Sequence, residues 1–594
     1  GLEAALAALG PAQQRAIGRL LGLLDQPAVM AWLTQRPRRF GSLPHDARER
    51  AFLAMATSRI PQLRSGFQAL KRLTTFLAYS RPGADGANAA WQPIGYQPTR
   101  NPPAQAAALR LTRVAAPLVI AADVCVIGSG AGGGVAAAVL ARGGRRVVVL
   151  EAGGGWQAPD FDQHELPGME RLYLDRGTTA TRDLGVAILA GGALGGGTTV
   201  NWQTSLRTPD DVRDEWVERS GCGHFGEDSF SRSLDAVASR IGVGVAESVV
   251  NRNNDVLRRG CDALGYHRVL IERNSARCDP AQCGYCVYGC RHGGKQSTAV
   301  TFLADAQRDG DTTIIPDCRA ERVRWSGGRV TGVAAWAIDP ATGERHVVDV
   351  RAPIVVVACG SIESPALLLR SGLRLPAIGR NLLLHPTTAV AGYYADPIEP
   401  WVGPPQTVLC DQFARLDGGY GFRLEAAPVH PGLLAIATPW HGARAHRRRM
   451  QRAAHTAATI VLTRDRSTGR VRLGSDGRAV VDYRPGPAEI GFLRRGMVEA
   501  ARIHVAAGAT DVATLHTREH ACISGGGTAA LDAFRDRVMA SDPDRNRSGL
   551  CSAHQMGTCA RGRDRRNAVC DGEGAVFGLP GLFIADASAF PASS

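Results

Sequence analysis

Lysine is almost missing from this sequence. Of 69 basic side chains in 594 residues, only Lys71 and Lys295 are lysines. The net charge of +14 is therefore an arginine excess spread along the chain, and it reads as a coding preference rather than a nucleic-acid surface. Its one dense run, RAHRRRMQR (444–452), reads as the solvated face of a helix. No basic motif with interleaved aromatics is present, so a nucleic-acid partner is not expected. Long apolar runs are also absent: no stretch reaches the ~18 uncharged residues of a membrane span. Peripheral contact with a membrane surface stays open. The fourteen cysteines are too thin for a disulfide scaffold in a chain of this length. Most stand alone, such as Cys125 within a predicted strand and Cys359 at the end of another, and read as reduced core thiols of a cytoplasmic protein. The first residue is Gly1, so the expectation is that an N-terminal segment was removed or lies outside this sequence. A lost signal peptide remains open on that ground.

What is present is a soluble globular composition, 44% hydrophobic and 21% charged, long enough for two to four domains or one large interleaved unit. Residues 1 to about 80 read helical, with apolar residues at three- and four-residue spacing through 51–79. Residues 80–115, rich in proline, glycine and asparagine, read as an extended linker. Strands and turns alternate at 312–358 and 456–483, and a helix is predicted at about 487–507.

The strongest local signal is VCVIGSGAGGGVAAAVLARGGRRVVVLEAG (124–153). Val124–Ile127 predicts a buried parallel strand. Gly128, Gly130 and Gly133 form G-x-G-x-x-G at its exit. The first glycine allows a tight turn, the second lets backbone approach a pyrophosphate, and the third lets the helix pack on the strand. The helix N-terminus offers free N–H groups to the phosphates. Val147–Leu150 is the second strand. Glu151 closes it with the acid that hydrogen-bonds the adenosine ribose. The pattern does not separate FAD from NAD, and a glycine-rich turn without ligand is the plain alternative.

Four further segments carry a family likeness. GGALGGGTTVNW (191–202) and GSIESPALLLRSGL (360–373) resemble the two signatures of the glucose–methanol–choline (GMC) oxidoreductases. SAHQMGTCARG (552–562) and GLFIADASAFP (581–591) resemble that family's catalytic and flavin-contacting segments. The likeness covers about residues 118–594. The helical N-terminus, CGYCVYGCRHGGKQST (283–298) and LTRDRSTG (462–469) are similar to the long-chain fatty alcohol oxidase branch. Gly192 and Arg374 depart from the signatures, where a basic residue and a glycine are usual. The family motif continues beyond FPASS into Gly-Val-Asn-Pro, so its second catalytic group is expected past Ser594.

The resemblance implies an α/β protein with a Rossmann-like FAD domain, a sheet-based substrate domain and an N-terminal helical extension. The expected layout is 1–115 for the extension and linker, and 116–400 for the FAD domain with part of the substrate domain inserted at about 210–300. Residues 401–495 would form the substrate domain, and 496–594 the return to the FAD domain. The implied reaction is oxidation of an alcohol, by the branch a long-chain primary one, to the aldehyde. Flavin N5 takes the hydride, oxygen or another acceptor takes the electrons, and His554 is the base. A histidine titrating near neutrality suits that proton transfer. Thr198, Thr199 and Asn201 are implied along the isoalloxazine ring, and Asp586 and Ala587 near the ribityl and pyrophosphate. A sterol, sugar or other bulky-alcohol oxidoreductase and a flavin-containing lyase are the alternatives; His554 argues against a photodecarboxylase. His516 and His520 read as structural.

Cys278, Cys283, Cys286 and Cys290 form a C-x4-C-x2-C-x3-C array. Four thiolates in one loop could cage zinc or an iron–sulfur cluster, or could simply pack. The spacing leaves both open.

Overall fold

A computed structural model describes residues 11–83, 86–98, 108–281, 283–518, 521–523, 527–541 and 545–594. His520 and parts of the 80–115 linker lie outside the described residues. Five parallel strands form the first sheet, in the order Leu582–Ile584, Ile354–Val357, Val124–Ile127, Val147–Leu150 and Thr312–Ile315. Both predicted strands of the glycine motif are present with the expected bounds, and every residue in them is buried. Parallel strands covered on both faces need such continuous apolar runs. Val124, Val126, Val147 and Val149 pack with Ala137 and Ala138 of the helix Ala131–Arg142. Cys125, Ile127, Val148 and Leu150 face the other way, onto Val323, Val333, Val348 and Val350 of a four-stranded sheet.

A nine-stranded sheet makes the second body, with Thr387–Tyr393, Thr456–Thr463 and Phe422–Ala426 paired antiparallel at its centre. Strand alternation sends Val390, Phe422, Leu424, Ala457 and Val461 to one face, against Leu493, Met497, Ala500 and Ala501 of the helix Pro487–Ala506. Ala458 and Ile460 point the opposite way and meet Trp202 and Leu434.

The N-terminal apolar pattern folds as two helices rather than one, His45–Thr57 and Pro61–Ser80. Pro61 starts the second at its first position, where a missing N–H costs nothing. That helix packs closely on the short helix Pro431–Ala437: a Cβ on Gly432 would stand 2.8 Å from Ser80 Cβ and 2.9 Å from the Phe76 ring. The arginine run forms the helix Ala443–Met450, with His446 and Met450 buried and Arg444, Arg447 and Arg448 exposed. Among the described residues no helix is long and apolar enough to cross a membrane.

Candidate functional site

The glycine turn is built as its spacing predicts. Gly128 has φ +100°, and a Cβ there would lie 2.2 Å from Ala358 O, so this turn and its contact with the neighbouring strand both need glycine. Gly133 would place a Cβ 1.9 Å from Gly128 O. Gly130 is different: its added Cβ would meet only Gly196 Cα, at 3.9 Å. Protein packing therefore leaves room beside the second glycine.

Glu151 is buried and turned into this loop. Its carboxylate accepts from Ser129 N (3.1 Å), Ser129 Oγ (2.5 Å) and Gly153 N (2.8 Å). Ser129 is a hub that the sequence reading passed over, for its Oγ also accepts from Gly195 N at 2.9 Å. The Thr198 and Thr199 hydroxyls are used internally, donating to Gly195 O and Leu194 O at 2.6 Å each. Asn201 Oδ1, by contrast, is buried without a hydrogen-bond partner. Asp586 accepts from Gly360 N (2.8 Å), Ser364 Oγ (2.5 Å) and Ser588 N (2.8 Å). It ties the start of the helix Gly360–Arg370 to the C-terminal segment, while Ala587 O accepts from Gly557 N.

His554 has a partner that the sequence did not announce. His385 brings its Nδ1 to 3.4 Å from His554 Nδ1, with the rings 5.5 Å apart and nearly perpendicular. The two chain segments are locked together by reciprocal backbone hydrogen bonds between Leu383 and Met556. His385 holds φ +47°, a left-handed conformation uncommon outside glycine. Asp465 supports it by accepting from Leu384 N at 2.8 Å, and its free Oδ1 stands 3.9 Å from His385 Nε2. Burial, then the neighbouring His554, hold the His385 pKa well below the ordinary range, so it is neutral near pH 7. Burial raises the Asp465 pKa to about 6.

His554 itself is exposed on one side, and desolvation of the rest of its ring is the largest cause lowering its pKa. Its Nδ1 faces His385, which leaves Nε2 as the ring nitrogen turned away from that partner. Trp202, Leu434, Ile460 and Ala458 form an apolar cluster on the same face of the nine-stranded sheet that carries Thr387. The helix bearing Leu434 is pinned at both ends by buried charges. Glu165 accepts from Gly432 N (2.6 Å) and Leu433 N (3.1 Å), and Lys71 Nζ donates to Ile436 O (2.8 Å) and Thr438 O (2.5 Å). The acid takes the N–H groups at the helix start and the lysine meets the carbonyls at its end. His516 is buried away from this pair.

The four cysteines do not converge on one point. Among the described residues no group of three or more His, Cys, Asp or Glu side chains could hold a metal ion. Of the two readings left open by the spacing, a metal cage finds no support among the described residues. Cys278 Sγ is hydrogen-bonded with Cys283 and lies 2.9 Å from Ser275 Oγ, whose proton goes to Gln203 Oε1 (2.6 Å), while Cys290 Sγ accepts from Lys295 N at 3.4 Å. Two buried cations stand among the thiols: Arg273 beside Cys278, Cys283 and Cys286, and Lys295 beside Cys286 and Cys290. Lys295 Nζ also donates to Thr199 O (2.8 Å), Asn201 O (2.6 Å) and Cys286 O (2.7 Å), fastening this stretch to the 198–202 segment.

A glycine-rich dinucleotide turn at the exit of a buried parallel strand, closed by a buried acid, is the layout of a nucleotide-dependent oxidoreductase. Residues 169–387 and 465–594 match the N- and C-terminal sections of the GMC oxidoreductases, and the chain belongs to that family. It is 31% identical to the long-chain-alcohol oxidase FAO4A of Arabidopsis thaliana, over 93% of this chain and 84% of that one. It is 35% identical to FAO4B of the same plant, over 80% of this chain and 65% of the relative. Among solved structures, pyridoxine 4-oxidase from Mesorbium loti superposes with a TM-score of 0.57 at 20% identity, covering 79% of this chain and 95% of that one. The protein is an FAD-dependent oxidoreductase acting on CH–OH groups. The residues present fit that cofactor: the turn is open at Gly130, and Asn201 Oδ1 is buried and unpartnered.

Proposed function

We propose that this protein oxidises long-chain primary alcohols to aldehydes, with His554 as the base. The observation that carries the reading is the His554–His385 pair together with the apolar cluster of Trp202, Leu434 and Ile460 on the sheet face that carries Thr387. Gly128, Gly130, Gly133 and Glu151 would hold the nucleotide end of FAD, with Asn201 beside the ring and Asp586 and Ala587 shaping the segment between. FAD, when bound, supplies the hydride acceptor. The protein's own residues do the rest. His554 Nε2 takes the hydroxyl proton. His385, kept neutral, fixes the ring of His554 through Nδ1. Trp202, Leu434 and Ile460 exclude water and contact the alkyl chain. The N-terminal helices hold this wall from behind through Lys71. The long-chain-alcohol oxidases named above support the substrate class.

The test is anaerobic mixing of the FAD-loaded protein with alcohols of increasing length while the flavin absorbance is followed. Each methylene buried against the wall should contribute about 0.8 kcal/mol, so kcat/KM should climb with length before levelling. In His554→Ala, FAD should stay bound while reduction slows about a hundredfold or more. Equal kcat/KM for ethanol and dodecanol would sink the apolar-chain reading, and near-normal reduction in the variant would sink the base.

A further inference from the structure

Asp465 and His385 each bury one polar atom that has no hydrogen-bond partner among the described residues, Oδ1 of the acid and Nε2 of the imidazole. These two atoms stand 3.9 Å apart. Asp465 is fully buried and fixed from three other segments. Its Oδ2 accepts from Leu384 N and from the Tyr483 hydroxyl, both at 2.8 Å, and its carbonyl accepts from Ser593 Oγ at 2.7 Å. The flanking arginines are engaged elsewhere, Arg464 by Glu215 at 2.6 Å and Arg466 by Asp417.

Proton positions follow outward from the acid. An ionised carboxylate only accepts, so the His385 nitrogen beside it, Nε2, carries the hydrogen. His385 is held neutral, by burial first and by the neighbouring His554 next, so its Nδ1 is an acceptor. The atom 3.4 Å from that acceptor is His554 Nδ1, which is therefore the donor. A neutral His554 with its hydrogen on Nδ1 keeps a lone pair on Nε2. With the opposite pair of tautomers, His554 Nε2 would carry a hydrogen and could not accept one. At 3.9 Å the acid lies just outside hydrogen-bond reach, as catalytic contacts often do before substrate binds, and in a buried setting its charge is weakly screened at that range.

We propose that Asp465 is a positioning residue that acts through His385 to set the tautomer of His554, leaving His554 Nε2 able to take the hydroxyl proton. This rests on the alcohol-oxidase reading above. The substrate O–H bond breaks, its proton bonds to His554 Nε2, and the hydride that leaves carbon as the carbonyl forms goes to the flavin acceptor already named. The positive charge gained by His554 is met through the His385 hydrogen bond by the Asp465 carboxylate, which itself takes no proton.

The test is Asp465→Asn in the holoenzyme. Leu384 N and the Tyr483 hydroxyl both donate to Oδ2, so the amide oxygen stays there. The amide nitrogen then takes the place of Oδ1 and turns its N–H groups toward His385 Nε2. A donor stands where an acceptor stood, and both imidazole tautomers should invert. NMR of nitrogen-labelled histidine at pH 8, above the Asp465 pKa of about 6, should place the wild-type His554 hydrogen on Nδ1 and the variant's on Nε2. That spectrum needs no turnover, and a merely structural loss would not exchange the two nitrogens. Flavin reduction by dodecanol should slow about a hundredfold or more in the variant, with FAD content unchanged. A wild-type His554 with its hydrogen on Nε2 would overturn the proposal even if the variant fails to fold. Unchanged tautomers, or reduction within twofold of wild type, in a folded variant would overturn it as well. If no alcohol bleaches the wild-type flavin, the oxidase reading falls, and the tautomers still decide the part of Asp465.

Discussion

One added methyl group should act in opposite ways at Gly130 and at Gly132. At Gly132 a Cβ would lie 1.6 Å from Ala585 O and 2.6 Å from Ala585 C. Both are backbone atoms, and a carbon needs about 3.3 Å from a non-bonded oxygen, so the helix Ala131–Arg142 would have to retreat by about 1.5 Å from the C-terminal segment. Such overpacking costs about 1–3 kcal/mol or more, and it separates two parts of the cofactor site. At Gly130 the backbone has φ −66°, which any residue adopts, and the new Cβ would meet only Gly196 Cα at 3.9 Å. The apoprotein should hardly notice it. The space it fills is where the nucleotide phosphates are expected, so FAD affinity should fall about a hundredfold, or some 2.7 kcal/mol. The assay has two readouts: thermal unfolding of the deflavinated protein, and FAD titration by quenching of flavin fluorescence. Gly130→Ala should unfold like the wild type and bind FAD weakly. Gly132→Ala should unfold early or fail to fold. Wild-type affinity in Gly130→Ala would place the pyrophosphate elsewhere and refute the reading of the turn.

Glu165→Gln should remove a pH dependence of stability. Burial raises the Glu165 pKa from 4.5 to about 7, so its stabilising contribution is full below the unfolded pKa and is lost as pH rises through 7, about 3 kcal/mol in all. Denaturant midpoints at pH 5 and pH 8 should therefore differ less in the variant than in the wild type, and an unchanged difference would show that Glu165 is not the group responsible. Elemental analysis of anaerobically purified protein should find iron and zinc far below one equivalent, since Arg273 and Lys295 already serve the cysteine stretch. Stoichiometric metal would show that the loop closes differently around an ion.

The nucleotide half was legible because its signals are local. Strand, turn, helix, strand and acid lie within thirty residues, and each is defined by its own backbone need. Gly128 requires a positive φ, and the valine runs require cover on both faces. The active pair was half legible. His554 carried a family motif, whereas His385 lies 169 residues away and is brought in by strand pairing that no local pattern encodes. Its left-handed backbone and its support from Asp465 are likewise products of the assembled sheet. The cysteine spacing left metal binding and packing open for a related reason. Spacing reports which thiols can meet, but not which cations are already among them. Arg273 reaches that loop from a separate strand, Arg273–Asn274.

The scarcity of lysine gains a physical meaning in this light. Both lysines are buried, and both donate to converging backbone carbonyls, two for Lys71 and three for Lys295. An ammonium is compact and tetrahedral, so its three N–H groups can reach carbonyls on three different segments from one point. A guanidinium spreads its donors over a flat fork suited to carboxylates, and it is bulkier. Arginine can also serve buried carbonyls here, as Arg64 does for Ser58, Arg59 and Arg545, but it does so with a flat fork rather than from one point. Lys295 fastens the cysteine stretch to the residues expected beside the flavin ring. Lys71 fastens the N-terminal helices to the helix that carries Leu434. On this argument, arginine at either position would keep the charge and still lose the junction, because the geometry of the donors, rather than their sign, joins these segments.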